Sequence, residues 1–134
     1  SGSNLWIRGS LWSATTESHE GLLTKGNLGL QGDLKVDCTC NEYAFVSSEE
    51  FTLILNGIEK QTVSFVNNSA LHSQINQLLF QNHSEDGVVF GEYVYVTGSV
   101  LSEGNSREGY LYCDNQTKLP ADYFGNIYFV NVQN

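Results

Sequence analysis

The cleanest alternation in the chain covers residues 33–40. Leu34, Val36, Cys38 and Cys40 fall on one side of an extended strand, with Asp33, Lys35, Asp37 and Thr39 on the other. That is the pattern of a strand with one buried face and one wet face. Two apolar, β-branched runs also flank Asn56-Gly57 within 51–66. Asn-Gly is the strongest short-range hairpin signal, because a type I′ turn needs φ > 0 at both central residues. It predicts an antiparallel pair with Leu55 facing Ile58, Leu53 facing Lys60 and Phe51 facing Thr62. Val63 and Phe65 then lie on the opposite face unless a bulge intervenes near Gln61 or Thr62.

Further strands follow from the same patterning. Leu5-Trp6 and Leu11-Trp12 each suggest a short strand, and Leu22 and Leu23 open another. Residues 27–32 alternate but are glycine-rich, which favours a bend. Residues 43–46 are short and apolar, and 47–50 read as a turn. Residues 88–100 form one long strand, 108–113 another and 126–132 the last. The long strand is apolar on both sides, with Tyr93 and Tyr95 on one and Val94 and Val96 on the other. In an antiparallel sheet this predicts a central sandwich strand or a strand at a subunit interface. Only 67–82 offers a helix, since Leu71, Ile75, Leu78 and Leu79 share a helical stripe that Asn68 or Ser69 caps. The alternative there is a loop and a strand over 77–80. About eight to ten short strands predict an all-β, antiparallel β-sandwich or barrel with at most one short helix. No internal repeat stands out.

Composition narrows the picture. The 134 residues make one domain, 1–134, and Ser1-Gly2-Ser3 reads as a cloning remnant or a trimmed domain edge. No apolar run is long enough for a transmembrane helix, and no signal-peptide pattern is present, so no membrane insertion is expected. Fifteen acids against six bases give a net charge of −9, which opposes binding to nucleic acid or anionic membrane. It leaves a self-repelling, soluble surface or a cationic partner. Three cysteines is an odd number. Cys38, Cys40 and Cys113 are expected as buried free thiols of a protein from a reducing compartment. They lack the Cys-x-x-Cys spacing of a metal site, so neither metal nor cofactor is expected.

No catalytic motif appears around His19, His72 or His83, and there is no nucleophile elbow or phosphate loop. Glu49-Glu50 and Glu85-Asp86 read as solvated turn acids. An enzyme is therefore not expected; a small β-barrel enzyme would need His72 or His83 beside a carboxylate in a cleft. Asn67, Asn82 and Asn115 each begin an Asn-x-Ser/Thr sequon, expected to be coincidental in a chain without a secretory framework. Binding leaves fainter marks. Residues 102–107 form a polar loop leading to Tyr110. Asn105, Arg107 and Tyr110 are the candidate receptor or glycan contacts, with amides for hydroxyls and a ring for a sugar's apolar face. Arg107 suits a carboxylate such as that of a sialic acid, or else balances Glu103 or Glu108.

Three short motifs, taken in order and placement, resemble the C-terminal head of an adenovirus fibre. They are Leu5-Trp6 at the start, Leu53-Ile-Leu-Asn-Gly57, and Tyr128-Phe-Val-Asn-Val-Gln133 before the terminal Asn134. The small size is similar to the compact heads of atadenoviruses and siadenoviruses. The threonines that flank Leu-Trp in that family are missing, and 67–87 matches nothing in it. The resemblance implies an antiparallel sandwich that forms a homotrimer, with 1–10 at the junction to a shaft. It places Tyr93, Tyr95, Tyr128 and Val130 at the trimer interface. It implies a virion protein of the capsid vertex, made in host cytosol, assembled in the nucleus, and binding a host receptor, protein or glycan. The competing reading is a carbohydrate-binding sandwich of a phage tail spike or bacterial adhesin.

Overall fold

The computed structural model describes residues 4–18, 20–21, 23–120 and 125–130. Ser1 to Ser3, His19, Leu22 and the predicted end of the last strand at Asn131 and Val132 lie outside them, as do Gln133 and Asn134. The chain winds as a parallel β-solenoid of about five turns, not as an antiparallel sandwich. Ten strands carry it: β1 (Asn4–Ile7), β2 (Leu11–Ala14), β3 (Leu23–Leu30), β4 (Leu34–Asp37), β5 (Ser47–Leu55), β6 (Gln61–Val66), β7 (Ile75–Phe80), β8 (Val88–Ser102), β9 (Gly109–Cys113) and β10 (Asn126–Phe129). Their order is β1-β3-β5-β7-β8-β6-β4-β2, with β9 on β8 and β10 on β9. β1, β3, β5 and β7 thus stack as one wall and β2, β4 and β6 as another. The long β8 belongs to both, pairing with β6 through Val88 to Phe90 and with β7 from Val96 onward.

The register explains the core. Leu28, Leu53, Leu78 and Val100 follow one another up one inward column, and Leu30, Leu55 and Phe80 up the next. On the even wall Leu34, Val63 and Phe90 form a third column, and Val36 and Phe65 a fourth. Every one of these side chains is buried, and each contributes about 2 kcal/mol by leaving water. Phe45 packs edge-on to Phe65, and Phe80 to Phe90, at centroid distances of 6.1 and 6.0 Å.

Several expectations change with this register. The Asn56-Gly57 hairpin does not form. Strands β5 and β6 never pair with each other, each lying parallel to strands one turn away. Ile58, expected to face Leu55, is 88% exposed. Neither Asn56 nor Gly57 has positive φ. Gly57 is needed for a different reason: a Cβ there would lie 2.4 Å from the Gln31 carbonyl oxygen of the turn below. Gln61 fixes this corner. Its Oε1 accepts from the Gly57 N–H at 2.7 Å, and its Nε2 donates to the Leu30 and Gly32 carbonyls at 2.9 and 2.7 Å.

No helix occurs among the described residues. Residues 75–80 are β7, because Ile75, Leu78 and Phe80 enter columns already begun by other turns, and tertiary burial outweighs a weak helical stripe. The predicted turn at 47–50 is the start of β5, kinked at Glu49, whose φ is 56°. Strand β4 stops at Asp37, so Cys38 is buried but Cys40 is exposed; all three cysteines are free.

The repeat missed in the sequence is now visible. Leu5-x-Ile7-Arg8-Gly9, Leu28-x-Leu30-Gln31-Gly32, Leu53-x-Leu55-Asn56-Gly57, Leu78-x-Phe80-Gln81-Asn82 and Val100-x-Ser102-Glu103-Gly104 occupy equivalent positions in successive turns. Each unit places two inward residues, one outward polar residue and a small or amide residue at the corner. No unit buries its inward pair alone, which is the logic of stacked repeats.

Candidate functional site

The two Leu-Trp pairs organise the most distinctive surface. In a strand, neighbouring side chains point to opposite faces; Leu5 and Leu11 are in register with the inward Leu28 and Leu34, Leu5 being 58% exposed at the end of its column, and Trp6 and Trp12 point to the other face. Trp6 is 57% exposed and Trp12 67%. They flank one corner of the first turn, Gly9-Ser10, each beside a shallow depression.

The Trp6 depression, about 230 Å³, is lined by Trp6, Ile7, Arg8, Gly29, Gln31 and Asn56. Trp6 lies flat against the second turn because residue 29 is glycine. A Cβ there would sit 2.0 Å from the indole Cε3. The Asn56 Oδ1 is buried without a hydrogen-bond partner. Arg8 makes no ion pair among the described residues. The second depression, about 250 Å³, is lined by Ser10, Leu11, Trp12, Asp33 and Lys35. Lys35 stands one turn from Trp12, its Nζ 5.6 Å from the indole centroid, a cation–π contact. Asp33 is fixed, its Oδ1 accepting from the Thr62 N–H at 2.8 Å. Each depression combines a flat ring, a cation and hydrogen-bonding groups.

The residues singled out from sequence fall elsewhere. Asn105 is a corner residue: its N–H donates to the Asn82 carbonyl and its Nδ2 to that of Ser84, both at 2.8 Å. Arg107 is exposed and makes no ion pair with Glu103 or Glu108. Tyr110 is 53% exposed on β9. No hydrogen bond joins the three. Tyr95 is buried, and its hydroxyl donates to Asp114 at 3.2 Å. Burial first, then the Asp114 charge, pushes the Tyr95 phenol up to about 12. Tyr93, with φ of 45°, lies against Tyr112 at 5.3 Å between ring centroids, and Tyr112 against Tyr128 at 5.1 Å, with the ring planes tilted by 39° and 42°. Val130 donates its N–H to the Cys113 carbonyl. Val94 and Val96 are fully buried within the one chain. Val94 and Val96 thus face the core, while Tyr93, Tyr112 and Tyr128 run along the other side of β8 and β9, where Tyr128 is 56% exposed.

His72 does stand beside a carboxylate, Nδ1 lying 2.8 Å from a Glu42 oxygen, with its ring stacked on Tyr43. The neighbouring hydroxyl, Ser73, is fully buried. It donates to the Glu42 carbonyl and accepts from the Phe45 N–H and the Cys38 thiol. That hydroxyl is committed to the fold and cannot serve as a nucleophile. Among the described residues no group of three or more His, Cys, Asp or Glu side chains is placed to hold a metal ion. The Cys113 thiol is pushed up to about 12 and that of Cys38 is also raised, each chiefly by burial. Of the three sequon asparagines, Asn67 and Asn115 are exposed. Asn82 is fully buried, donating to the Glu59 carbonyl and to Gln61.

Fold and surface together define a parallel β-solenoid with tryptophan-walled depressions on the flank of its first turns. No protein family, curated protein or solved structure matches the chain, and nothing in these comparisons connects it with fibre heads. The depressions were legible in part. The repeated Leu-Trp pair marks them and Arg8 lies two residues from Trp6, but Gly29, Gln31 and Asn56 beside Trp6, and Asp33 and Lys35 beside Trp12, come from other turns.

Proposed function

We propose that this protein is a non-catalytic recognition module that binds carbohydrate along the flank of its first two turns. One observation carries the reading: two exposed indoles on either side of a single glycine corner, each beside a depression bearing polar groups. An indole face covers the apolar C–H face of a sugar. Gln31, Asn56, Ser10 and Asp33 supply donors and acceptors for its hydroxyls. Among the described residues Asp33 is the only carboxylate lining either depression, whereas glycoside hydrolysis takes two across the bond. The reading keeps recognition at a surface and gives up the virion vertex, because the trimeric sandwich that linked the two is not this fold.

The test is a glycan array followed by fluorescence titration of the best ligand. Trp6→Ala and Trp12→Ala are each expected to weaken binding roughly tenfold or more, as aromatic anchors do, with an unchanged circular dichroism spectrum. An array with no binder, or full affinity in the double variant, overturns the reading.

A further inference from the structure

We infer that the Trp6 depression selects a sugar residue that carries a carboxylate. The inference rests on the carbohydrate reading and adds the ligand's charge. Three observations bear on it.

Arg8 is the only charged residue lining the depression, and it makes no ion pair among the described residues. Among the described residues no carboxylate lines this depression, so on a chain with a net charge of −9 Arg8 makes it locally positive. Its planar fork matches a carboxylate in two parallel hydrogen bonds. The second observation is Asn56, which lines the same depression and whose buried Oδ1 has no partner. A buried acceptor without a donor is costly, so a turn of the Asn56 amide that brings this oxygen to a ligand hydroxyl or acetamido N–H in the depression recovers that cost. The third is the ring itself. Gly29 lets Trp6 lie flat, which leaves a plane for an apolar sugar face. Carboxylate, donor and C–H face occur together in uronic acids and in sialic-type sugars.

The neighbouring depression lacks this selectivity. Lys35 there sits beside Asp33 and already faces the Trp12 ring. The Asp33 carboxylate lines that depression as well and repels a second acid.

The intact protein is titrated with galacturonate oligomers, with sialyllactose, and with neutral galacto-oligosaccharides and lactose as matched controls. Binding is read by calorimetry and by the two indole N–H resonances, with Trp6→Phe identifying which belongs to Trp6. An acidic sugar is expected to move the Trp6 resonance and to bind at least tenfold more tightly than its neutral counterpart. Arg8→Gln removes that preference, Arg8→Lys restores part of it, and raising salt from about 20 to 500 mM weakens it. Because Arg8 is exposed, these variants keep the fold, which the unchanged Trp12 resonance confirms. Equal affinity for neutral sugars, unaffected by Arg8→Gln, overturns the charge selection while leaving sugar recognition intact. If no sugar moves either indole, both readings fail.

Discussion

Replacing Leu55 by Ala and Ile58 by Ser separates the two pairings open to this sequence. In a hairpin centred on Asn56-Gly57 the two residues face each other across the turn and share one environment. In the solenoid they do not: Leu55 is fully buried between Leu30 and Phe80, and Ile58 is 88% exposed. A buried Leu→Ala change costs about 2–5 kcal/mol, the spread reflecting how far the site can collapse. Leu55 has an ordered turn on either side, so collapse is restricted and about 4 kcal/mol is expected. For a domain of this size that lowers the thermal midpoint by roughly 15 °C. Ile58→Ser removes no packing and is expected within about 0.5 kcal/mol of the parent. Urea and thermal unfolding followed by circular dichroism measure both. If Ile58→Ser costs more than half as much as Leu55→Ala, the parallel register is wrong at this corner.

Other outcomes follow from the same geometry. Of the three thiols, Cys40 alone is exposed. One equivalent is expected to react rapidly with a disulfide reagent and the other two only on unfolding; two fast equivalents would place Cys38 or Cys113 at the surface. Tyr95 and Cys113 are held up to about 12 by burial, so above about pH 9 the unfolded chain releases protons that the folded chain retains. Their contribution is complete below that pH and is lost as pH rises toward 12, so the urea midpoint should be flat to pH 9 and fall beyond it; a flat profile to pH 11.5 contradicts the burial. Gln61→Leu leaves the Gly57 N–H and the Leu30 and Gly32 carbonyls without their side-chain partner. At about 1–3 kcal/mol for each buried group left unpaired, it is expected to cost more than 2 kcal/mol in chemical denaturation, and a loss below 1 kcal/mol would show that the corner does not depend on it.

Strand positions were readable from the residues because period-two burial is local. Leu34 and Val36 of β4 and the long β8 stand where alternation or apolarity put them, whereas 75–80, within the stretch that offered a helix, is a strand. Their partners were not readable that way. An inward Leu53 looks the same whether its neighbour lies across a two-residue turn or one winding away, since both arrangements bury alternate side chains. The deciding information is spread through five short units, Leu5 to Gly9, Leu28 to Gly32, Leu53 to Gly57, Leu78 to Asn82 and Val100 to Gly104, whose unequal spacing hides the repeat. Gly57 reads locally as a left-handed turn residue, but it has no positive φ, and what it permits is close approach to the Gln31 carbonyl.

The tryptophan depressions divide in the same way. The chain alone specifies that Leu5 and Trp6, and likewise Leu11 and Trp12, face opposite sides of a strand. Only the winding sets Gly29, Gln31 and Asn56 beside Trp6, and Asp33 and Lys35 beside Trp12. Those neighbours arrive from later turns, and stacking, not sequence proximity, determines which side chains share a surface.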